Sequence, residues 1–299
     1  MRDSPPFDGD GKATTAARNA VYARESRRMA TELGQTLLSR AKGFGPSDVT
    51  HVIFASCTGF VNPGPDFFLV KDLGLAENVE RYIVGFMGCY AAFPCLRMAA
   101  QFCRADPEAV VLVVCLELSS MHLKFDHSLD SILGNAVFAD GAAAALVSGR
   151  EPAPGDATYI LDSFATATVP DSEAEMAWSI GDEGFDLVLS SYVPRLIESE
   201  IGNILEGAGI EPGETDRWAV HPGGKSILEK VEQTLELGPG ALRESREILR
   251  RYGNMSSATI LFVLEEMQRR QHQGERIAAL AFGPGLTVET AKLRVDLVS

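Results

Sequence analysis

Short apolar runs alternate with helix-like segments along most of the chain, and this alternation limits the fold more than any other feature. In the first half it predicts one long helix at residues 14–42, followed by strands at 51–56, 81–86 and 109–116 and helices at 66–73 and 90–104. The strand-like runs are continuous rather than alternating, as in strands covered on both faces. The sequence therefore predicts an α/β fold with buried parallel strands.

The second half repeats this alternation of strands and helices after a break in composition. A cluster of Pro, Gly and charged residues at 150–157, between predicted strands at 141–148 and 158–168, predicts a linker. Beyond it the pattern predicts helices at 183–208, 224–236, 240–252 and 255–272 and strands at 217–221, 276–282 and 286–298. We therefore expect two α/β halves, residues 1–149 and 156–299, with residues 1–12 disordered.

Charge and cysteine usage exclude several classes of protein. The net charge is −14 and no run of basic residues is longer than a pair such as Arg269-Arg270, so a nucleic-acid backbone would be repelled. No apolar run reaches the roughly 18 residues of a membrane span, and no signal peptide is recognisable, which predicts a cytoplasmic protein. The five cysteines form no Cys-x-x-Cys pair, which favours reduced thiols over disulfides or a zinc site.

Cys89 lies where a predicted strand meets a predicted helix. Unsatisfied backbone N–H groups at such a turn can lower a thiol pKa from roughly 8.5 and favour a reactive thiolate. Pro94 works against this, because it either removes a hydrogen bond from the helix or delays the start of the helix. The alternative interpretation is that Cys89 is a small buried apolar residue, as most free cysteines are.

Two later residues could assist a thiolate at Cys89. His221 ends a predicted strand and precedes Pro-Gly-Gly, at the sheet edge where α/β proteins bind ligands, although a lone histidine can also be structural. Asn254 either caps the following helix or donates its amide to an oxyanion. Together the three residues indicate Cys-His-Asn acyl transfer; a papain-like protease shares this order but has a different sequence around its cysteine.

Residues 281–286, Ala-Phe-Gly-Pro-Gly-Leu, lie between two predicted strands. Gly and Pro in this position predict either a rigid connection or the wall of a pocket. Neither a Walker loop nor a dinucleotide-binding Gly-x-Gly-x-x-Gly motif is present in the sequence.

Five motifs taken together resemble the type III polyketide synthases, the chalcone synthase family. They are Gly-Cys-Tyr-Ala-Ala at 88–92, Phe-Ala-Asp-Gly-Ala-Ala-Ala at 138–144, His-Pro-Gly-Gly at 221–224, Gly-Asn-Met-Ser-Ser-Ala at 253–258 and Phe-Gly-Pro-Gly-Leu-Thr-Val-Glu-Thr at 282–290. The resemblance runs from about residue 14 to the C-terminus. Ketoacyl synthase III enzymes share the Cys-His-Asn order but differ after the His and around the Asn.

The resemblance implies a thiolase-like duplicated α/β/α/β/α fold and a role for each matched residue. Cys89, His221 and Asn254 would be catalytic, and Phe138 would gate the substrate entrance, with Leu187 at the place of a second gating Phe. The positions that would line the cavity are Cys57, Ser119, His122, Trp178 and Ser256. Gly224, Lys225 and Ser226 would contact coenzyme A.

The sequence also departs from the family. Cys57 resembles bacterial members of the family, which carry a cysteine at this position. Asn62 replaces a Met that reaches across the dimer in plant members. Family members begin with a segment that carries a strand central to the first sheet and several basic residues for the CoA phosphates. This segment has no match here, so we expect a truncated N-terminal half that lacks the basic contacts to the CoA phosphates. Three explanations stay open: a true start farther upstream, a fragment, or a rearranged first sheet.

The implied function is decarboxylative condensation. An acyl group from acyl-CoA would load on the cysteine and be extended by malonyl-CoA to a cyclised pyrone, resorcinol or phloroglucinol type of product, by a homodimer that uses no cofactor beyond its CoA substrates. The stretch 117–122 resembles bacterial enzymes with aliphatic starters, which implies an alkylpyrone or alkylresorcinol synthase as the first expectation. Two alternatives stay open: a single condensation of the ketoacyl synthase III type, and an inactive homologue that dimerises with an intact paralogue.

Overall fold

The computed structural model describes residues 13–125, 128–153, 157–190 and 192–297, so the predicted disorder at 1–12 lies outside the described residues. Its helices are α1 (Thr15–Arg40), α2 (Pro65–Asp72), α3 (Ala92–Ala105), α4 (Leu129–Val137), α5 (Val193–Gly207), α6 (Lys225–Thr234), α7 (Arg243–Tyr252) and α8 (Thr259–Gln268). Its strands are β1 (His51–Ser56), β2 (Glu80–Gly85), β3 (Val110–Glu117), β4 (Gly141–Ser148), β5 (Ala157–Thr168), β6 (Met176–Gly181), β7 (Gly184–Leu189), β8 (Arg217–Val220), β9 (Arg276–Gly283) and β10 (Thr287–Leu297).

Two four-stranded sheets organise the chain. The first has the order β2-β1-β3-β4 and the second β5-β10-β9-β8, while β6 and β7 form a separate hairpin. Only β1 with β2, β1 with β3, and β8 with β9 pair in parallel; the other pairs are antiparallel. The expectation of parallel strands therefore holds for the centre of the first sheet and for one pair of the second.

Helices cover both sheets and also separate them. In β1, Ile53 and Ala55 pack in a core shared with α3, α8 and the second sheet, whereas Val52 and Phe54 pack with α1 and α2 on the opposite face. On the outer face of the second sheet, residues of α5 and α6 pack with Trp218 and Val220 of β8. This confirms the predicted α/β/α/β/α fold with two similar halves.

Two predicted features of the fold were wrong. Residues 184–189 form β7 rather than the start of a helix, because Phe185, Leu187 and Leu189 alternate with other residues after a turn in which Gly184 has φ 105°. The first sheet has no gap either: its four strands are consecutive hydrogen-bonded neighbours, so no two strands within it are left with unpaired facing edges. Helix α4 was not predicted.

The described part of the chain contains no helix that is both long and apolar enough to cross a lipid bilayer.

Candidate active site

Cys89 lies in a tight turn between β2 and α3. The turn contains two left-handed residues, Phe86 with φ 58° and Gly88 with φ 86°. A Cβ added at Gly88 would lie 2.3 Å from Cδ of Pro284, so only glycine fits there. The connection between β9 and β10 that contains Pro284 therefore packs directly against the nucleophile turn, and none of residues 281–286 lines the cavity described below.

His221 and Asn254 come from the other half of the chain. His221 follows β8, where its backbone N–H donates to the Leu280 carbonyl at 2.8 Å, and it is buried. Asn254 follows the left-handed Gly253 after α7. Its Oδ1 accepts the backbone N–H of Ser256 at 2.9 Å, which is the local capping role, and this bond orients the amide nitrogen.

The amide nitrogen of Asn254 is directed toward the thiol. Nδ2 lies 3.9 Å from Sγ of Cys89 and 3.4 Å from the carbonyl oxygen of Gly223. The His221 ring lies beside Gly223, since a Cβ added at this glycine would be 3.9 Å from Nε2. The structure thus brings Cys89 and Asn254 into direct contact and places His221 next to them through Gly223.

The imidazole of His221 has both nitrogens buried without a hydrogen-bond partner among the described residues. Burial lowers its pKa to about 3. For Cys89, burial raises the pKa to about 11; the charge of Glu117 raises it too, while the nearby polar side chains of Ser256 and Asn254 lower it. The resting site therefore holds a thiol and a neutral imidazole.

The predicted low thiol pKa was wrong for two physical reasons. Helix α3 begins only at Ala92, with Pro94 in its first turn, so the helix terminus is displaced from Cys89. The residue is also half-buried, with no cation among the causes that act on its pKa in the described part of the chain, and a low-dielectric environment disfavours the charged form.

Glu117 is a buried residue of the site that the sequence prediction missed. Its Oε2 accepts the Cys57 backbone N–H at 2.9 Å and the Thr58 hydroxyl at 3.0 Å, and its Oε1 accepts the Ser257 hydroxyl. Burial raises the pKa of this carboxyl group. A carboxyl at the end of the otherwise apolar strand β3 was the available signal, because a buried charge needs several partners.

A small cavity of about 60 Å³ lies between α4, the β6–β7 hairpin and the 3-10 turn Ser119–His122. Five residues predicted to line or gate a cavity surround it: Ser119, His122, Phe138, Trp178 and Leu187. Further lining residues are Leu123, Lys124, Ser131, Gly134, Asn135 and Phe185.

Two other predicted lining residues lie elsewhere. Cys57 is fully buried behind the nucleophile turn, where its Sγ accepts the Gly88 N–H at 3.0 Å. Ser256 has a left-handed φ of 48° and lies beside Asn254, near the thiol. The prediction that Cys57 lines the cavity is therefore wrong, because its side chain points into the packing beneath the turn.

Aromatic rings form one wall of the cavity. Trp178 lies at its centre, with ring centroids 6.0 Å from Phe138, 6.1 Å from Phe185 and 6.3 Å from Phe86. Phe86 and Phe185 were not predicted. Phe86 reaches this wall from the nucleophile turn, in a backbone conformation that bulky residues rarely adopt.

His122 is fixed in this wall as a neutral ring. It stacks on Phe185 with centroids 4.0 Å apart, its Nε2–H donates to the Thr58 carbonyl at 2.7 Å, and its Nδ1 accepts the Phe185 N–H at 3.2 Å. Burial lowers its pKa to about 4. With both nitrogens occupied, His122 shapes the cavity and has no lone pair left for acid–base chemistry.

The residues predicted to contact coenzyme A lie at the start of α6. Gly224 precedes the helix, and Lys225 and Ser226 are exposed in its first turn. The Lys225 ammonium is 3.5 Å from a carboxylate oxygen of Glu229.

Comparison with known proteins gives two family matches and several solved structures. The family models for chalcone and stilbene synthases match residues 1–152 with the N-terminal domain and residues 161–296 with the C-terminal domain. The first match means that the N-terminal domain is present, and it gives no support to the predicted truncation.

Three crystal structures superimpose closely. PKS-I from the brown alga Ectocarpus siliculosus is 30% identical with a TM-score of 0.90, over 98% of this chain and 82% of its own. The C-terminal type III polyketide synthase domain of Steely1 from Dictyostelium is 29% identical with a TM-score of 0.89, over 96% and 80%. 1,3,6,8-Tetrahydroxynaphthalene synthase from Streptomyces coelicolor A3(2) is 30% identical with a TM-score of 0.89, over 97% and 84%.

Proposed function

From the premise that the chain belongs to the chalcone and stilbene synthase family, and is therefore a type III polyketide synthase, we propose a reaction sequence for its own residues. It is supported by the 3.9 Å distance between Nδ2 of Asn254 and Sγ of Cys89, and by the position of the His221 ring beside Gly223, whose carbonyl oxygen lies 3.4 Å from the same amide nitrogen. These residues provide a nucleophile, a base and a hydrogen-bond donor, which is what acyl transfer from a thioester requires.

Loading begins with proton transfer from the Cys89 thiol to His221. The thiolate attacks the carbonyl carbon of an acyl-CoA, the bond from that carbon to the CoA sulfur breaks, and His221 returns the proton to the departing CoA thiolate. The oxyanion formed in between accepts hydrogen bonds from Nδ2 of Asn254 and from the protonated imidazole. Neither imidazole nitrogen has a hydrogen-bond partner among the described residues, so the ring is available for proton transfer.

Extension uses the same two donors. Malonyl-CoA loses CO₂, and the electron pair of the broken bond forms an enolate whose oxygen His221 and Asn254 stabilise. The enolate carbon attacks the Cys89 thioester, a carbon–carbon bond forms, and the carbon–sulfur bond to Cys89 breaks. The β-ketoacyl-CoA product can then reload on Cys89. No step in this scheme requires a metal or an organic cofactor, and we class the enzyme as an acyltransferase.

The cavity supports a short starter and a small product. Its volume of about 60 Å³ is far below the roughly 300–1,000 Å³ of pockets that enclose a drug-sized ligand. Trp178 fills the space between Phe138 and Phe185. We propose a short acyl starter and few extensions that end in a pyrone, resorcinol or phloroglucinol type of ring; these aromatic neighbours do not favour a long aliphatic starter.

We propose that the enzyme is a homodimer that pairs through β2. This strand is the edge of the first sheet, with Ile83 on it 54% exposed, and Phe60, Phe67 and Met87 add exposed apolar surface nearby. A free edge with apolar residues is a template for pairing with a second chain. A cytoplasmic location is consistent with five free cysteines.

The remaining proposals concern CoA and the type of enzyme. Gly224, Lys225 and Ser226 lie at a helix start near His221, where backbone N–H groups and one ammonium can meet a phosphate. The resemblance to bacterial members rests on Cys57 and on the stretch 117–122 alone.

Mass spectrometry of products tests the function. The purified protein is incubated with malonyl-CoA and a panel of acyl-CoA starters, with Cys89→Ala as the control. Products extended by two or more two-carbon units, absent from the control, are expected. Products extended by one unit only would indicate a ketoacyl synthase III activity, and absence of product together with no acylation of Cys89 would indicate the inactive homologue.

A further inference from the structure

Arg97 and Glu289 form an ion pair that the proposed reaction does not use. Nη2 of Arg97, in the second turn of α3, lies 2.7 and 2.6 Å from Oε1 and Oε2 of Glu289, in β10. Nη1 of Arg97 donates to the Thr166 hydroxyl of β5 at 2.6 Å, and this hydroxyl donates to Oε1 of Glu289 at 2.8 Å. The pair therefore joins α3 to two strands of the second sheet.

The carboxylate of this pair is almost completely buried. The Glu289 side chain is 3% exposed, against 27% for Arg97. Taking a carboxylate out of water is costly, and an ion pair in such a place is often no more stabilising than apolar side chains of similar volume. Stability alone therefore does not explain the pair, whereas its directional hydrogen bonds fix how α3 lies on β10.

The apolar contacts of α3 provide little directional restraint. The face of the helix in the core shared by the two sheets carries Ala92, Phe93, Cys95, Ala99 and Cys103. All of these side chains except that of Phe93 are small, and apolar contacts have no preferred direction. The hydrogen bonds of Arg97 therefore oppose a sliding of the helix that the apolar contacts alone would allow.

The beginning of β10 lies close to the nucleophile. A Cβ added at Gly283 would lie 2.5 Å from Cδ1 of Tyr90 and 3.5 Å from the backbone nitrogen of Cys89. Gly283 pairs with Thr287 at the first position of β10. The start of this strand thus contacts the chain at the nucleophile itself, while Glu289, two residues farther along β10, holds α3.

We propose that Arg97 and Glu289 are positioning residues for Cys89: their ion pair holds α3 on β10 and so fixes the direction of the thiol. This deepens the function proposed above and rests on it. The distance from Sγ of Cys89 to Nδ2 of Asn254 is 3.9 Å. Displacing a reacting group by about 1 Å can lower a rate by about 10²-fold, so a small shift of α3 is enough to slow acyl transfer.

Transfer of an acyl group to Cys89 tests this role. In the double variant Arg97→Met with Glu289→Leu, apolar side chains replace the pair, so the fold should persist while the directional bonds are lost. The rate of acylation at saturating acetyl-CoA, followed by intact mass, is expected to fall at least about tenfold. The acetyl-CoA concentration that gives half of this rate should change by less than about threefold, because the pair acts on the thiol and not on substrate binding.

A matched control and a second reagent separate positioning from stability. Arg294→Gln removes an exposed ion pair with Asp162 that joins the same two strands, β10 and β5, and it should leave acylation unchanged. Alkylation of Cys89 by iodoacetamide needs no alignment with Asn254. Its rate should therefore change by less than about threefold in the double variant.

A folded double variant that is acylated within about twofold of the unmodified rate would overturn the proposal. Loss of the fold would also overturn it, because the pair would then be only structural. Equal losses of acylation and alkylation would count against it as well, since they indicate an unreactive thiol rather than a misdirected one. An unmodified enzyme that is not acylated at Cys89 would instead contradict the proposed function, and the positioning role with it.

Discussion

Cys89 rests as a thiol, and this has a measurable consequence at the scale of one residue. Since burial raises its pKa to about 11, the thiolate fraction grows throughout the accessible pH range. We expect the rate of Cys89 alkylation by iodoacetamide to rise about tenfold per pH unit from pH 7 to 10. Peptide mapping separates Cys89 from the other cysteines, and a rate that levels off near pH 6 would mean a preformed thiolate–imidazolium pair.

Glu117 offers a second test at this scale, because its charge raises the pKa of Cys89. In Glu117→Gln we expect faster alkylation of Cys89 at pH 8. The amide has one acceptor oxygen for the donors from Cys57, Thr58 and Ser257, so the free energy of unfolding should fall by about 1–3 kcal/mol. The exposed control Glu77→Gln should change neither quantity, and an unchanged alkylation rate in Glu117→Gln would contradict this account.

The size of Trp178 gives a third test. Trp178→Gly removes the indole ring, and the space that the ring occupied then adds to the neighbouring cavity of about 60 Å³. We expect products heavier by at least one two-carbon unit, measured by mass spectrometry with the same starter. An unchanged product profile would mean that other residues limit chain length.

Single residues also show what could be predicted from the sequence. Cys89, His221 and Asn254 were recognised from the motifs around them. Each motif is one short segment whose own residues determine the local turn. The pKa of Cys89 and the placement of Cys57 were not predicted, because both depend on burial by segments far away in sequence. Glu117 was missed because its partners come from three separate segments.

At the scale of elements, strands with continuous apolar runs were predicted within one or two residues, as for β1, β3 and β4. The β6–β7 hairpin was not predicted, because its strands are half-exposed: β6 was assigned to no element, and the apolar spacing of β7 was assigned to the helix that follows. This hairpin carries Trp178 and Leu187, so the cavity could not be assembled from the predicted elements.

The edge strand β2 provides the prediction for this scale. If β2 pairs with a second copy, a charge at Ile83 places an ammonium in that contact and Ile83→Lys should shift the protein from dimer to monomer. Light scattering with size-exclusion chromatography measures the mass. Ile160→Lys on β5 is the control and should stay dimeric; dimers of both variants would exclude β2 as the interface.

At the scale of the whole molecule, the five layers enclose His221 completely and His122 in part, and these two histidines determine the response of the fold to acid. The lowered pKa values of His221, about 3, and His122, about 4, mean that below roughly pH 6.5 the unfolded chain binds protons that the folded chain does not. We expect stability to be lost as the pH falls from 6 to 4, by up to ~1.4 kcal/mol per pH unit for each histidine.

Urea unfolding at several pH values measures this slope. His122→Gln should reduce the slope of stability against pH by about half, while His272→Gln in an exposed turn should leave the slope unchanged. A stability that does not change from pH 6 to 4 would contradict the burial of these two rings as neutral groups.

The order of the layers explains why the catalytic residues meet. The nucleophile turn precedes α3 and Asn254 precedes α8, and these two helices form the layer shared by both sheets. The duplicated α/β pattern predicted two halves, but the closeness of Cys89 to Asn254, 165 residues apart in the chain, follows only from the packing of that shared layer.

The most direct measurement is the intact mass of the protein after brief exposure to a short acyl-CoA without malonyl-CoA. The account predicts one added acyl group, located on Cys89 by peptide mapping. It should be absent in Cys89→Ala and should form at least tenfold more slowly in His221→Ala. A folded enzyme with no adduct, or with the acyl group on another residue, would contradict the central claim that Cys89 and His221 act together on a thioester.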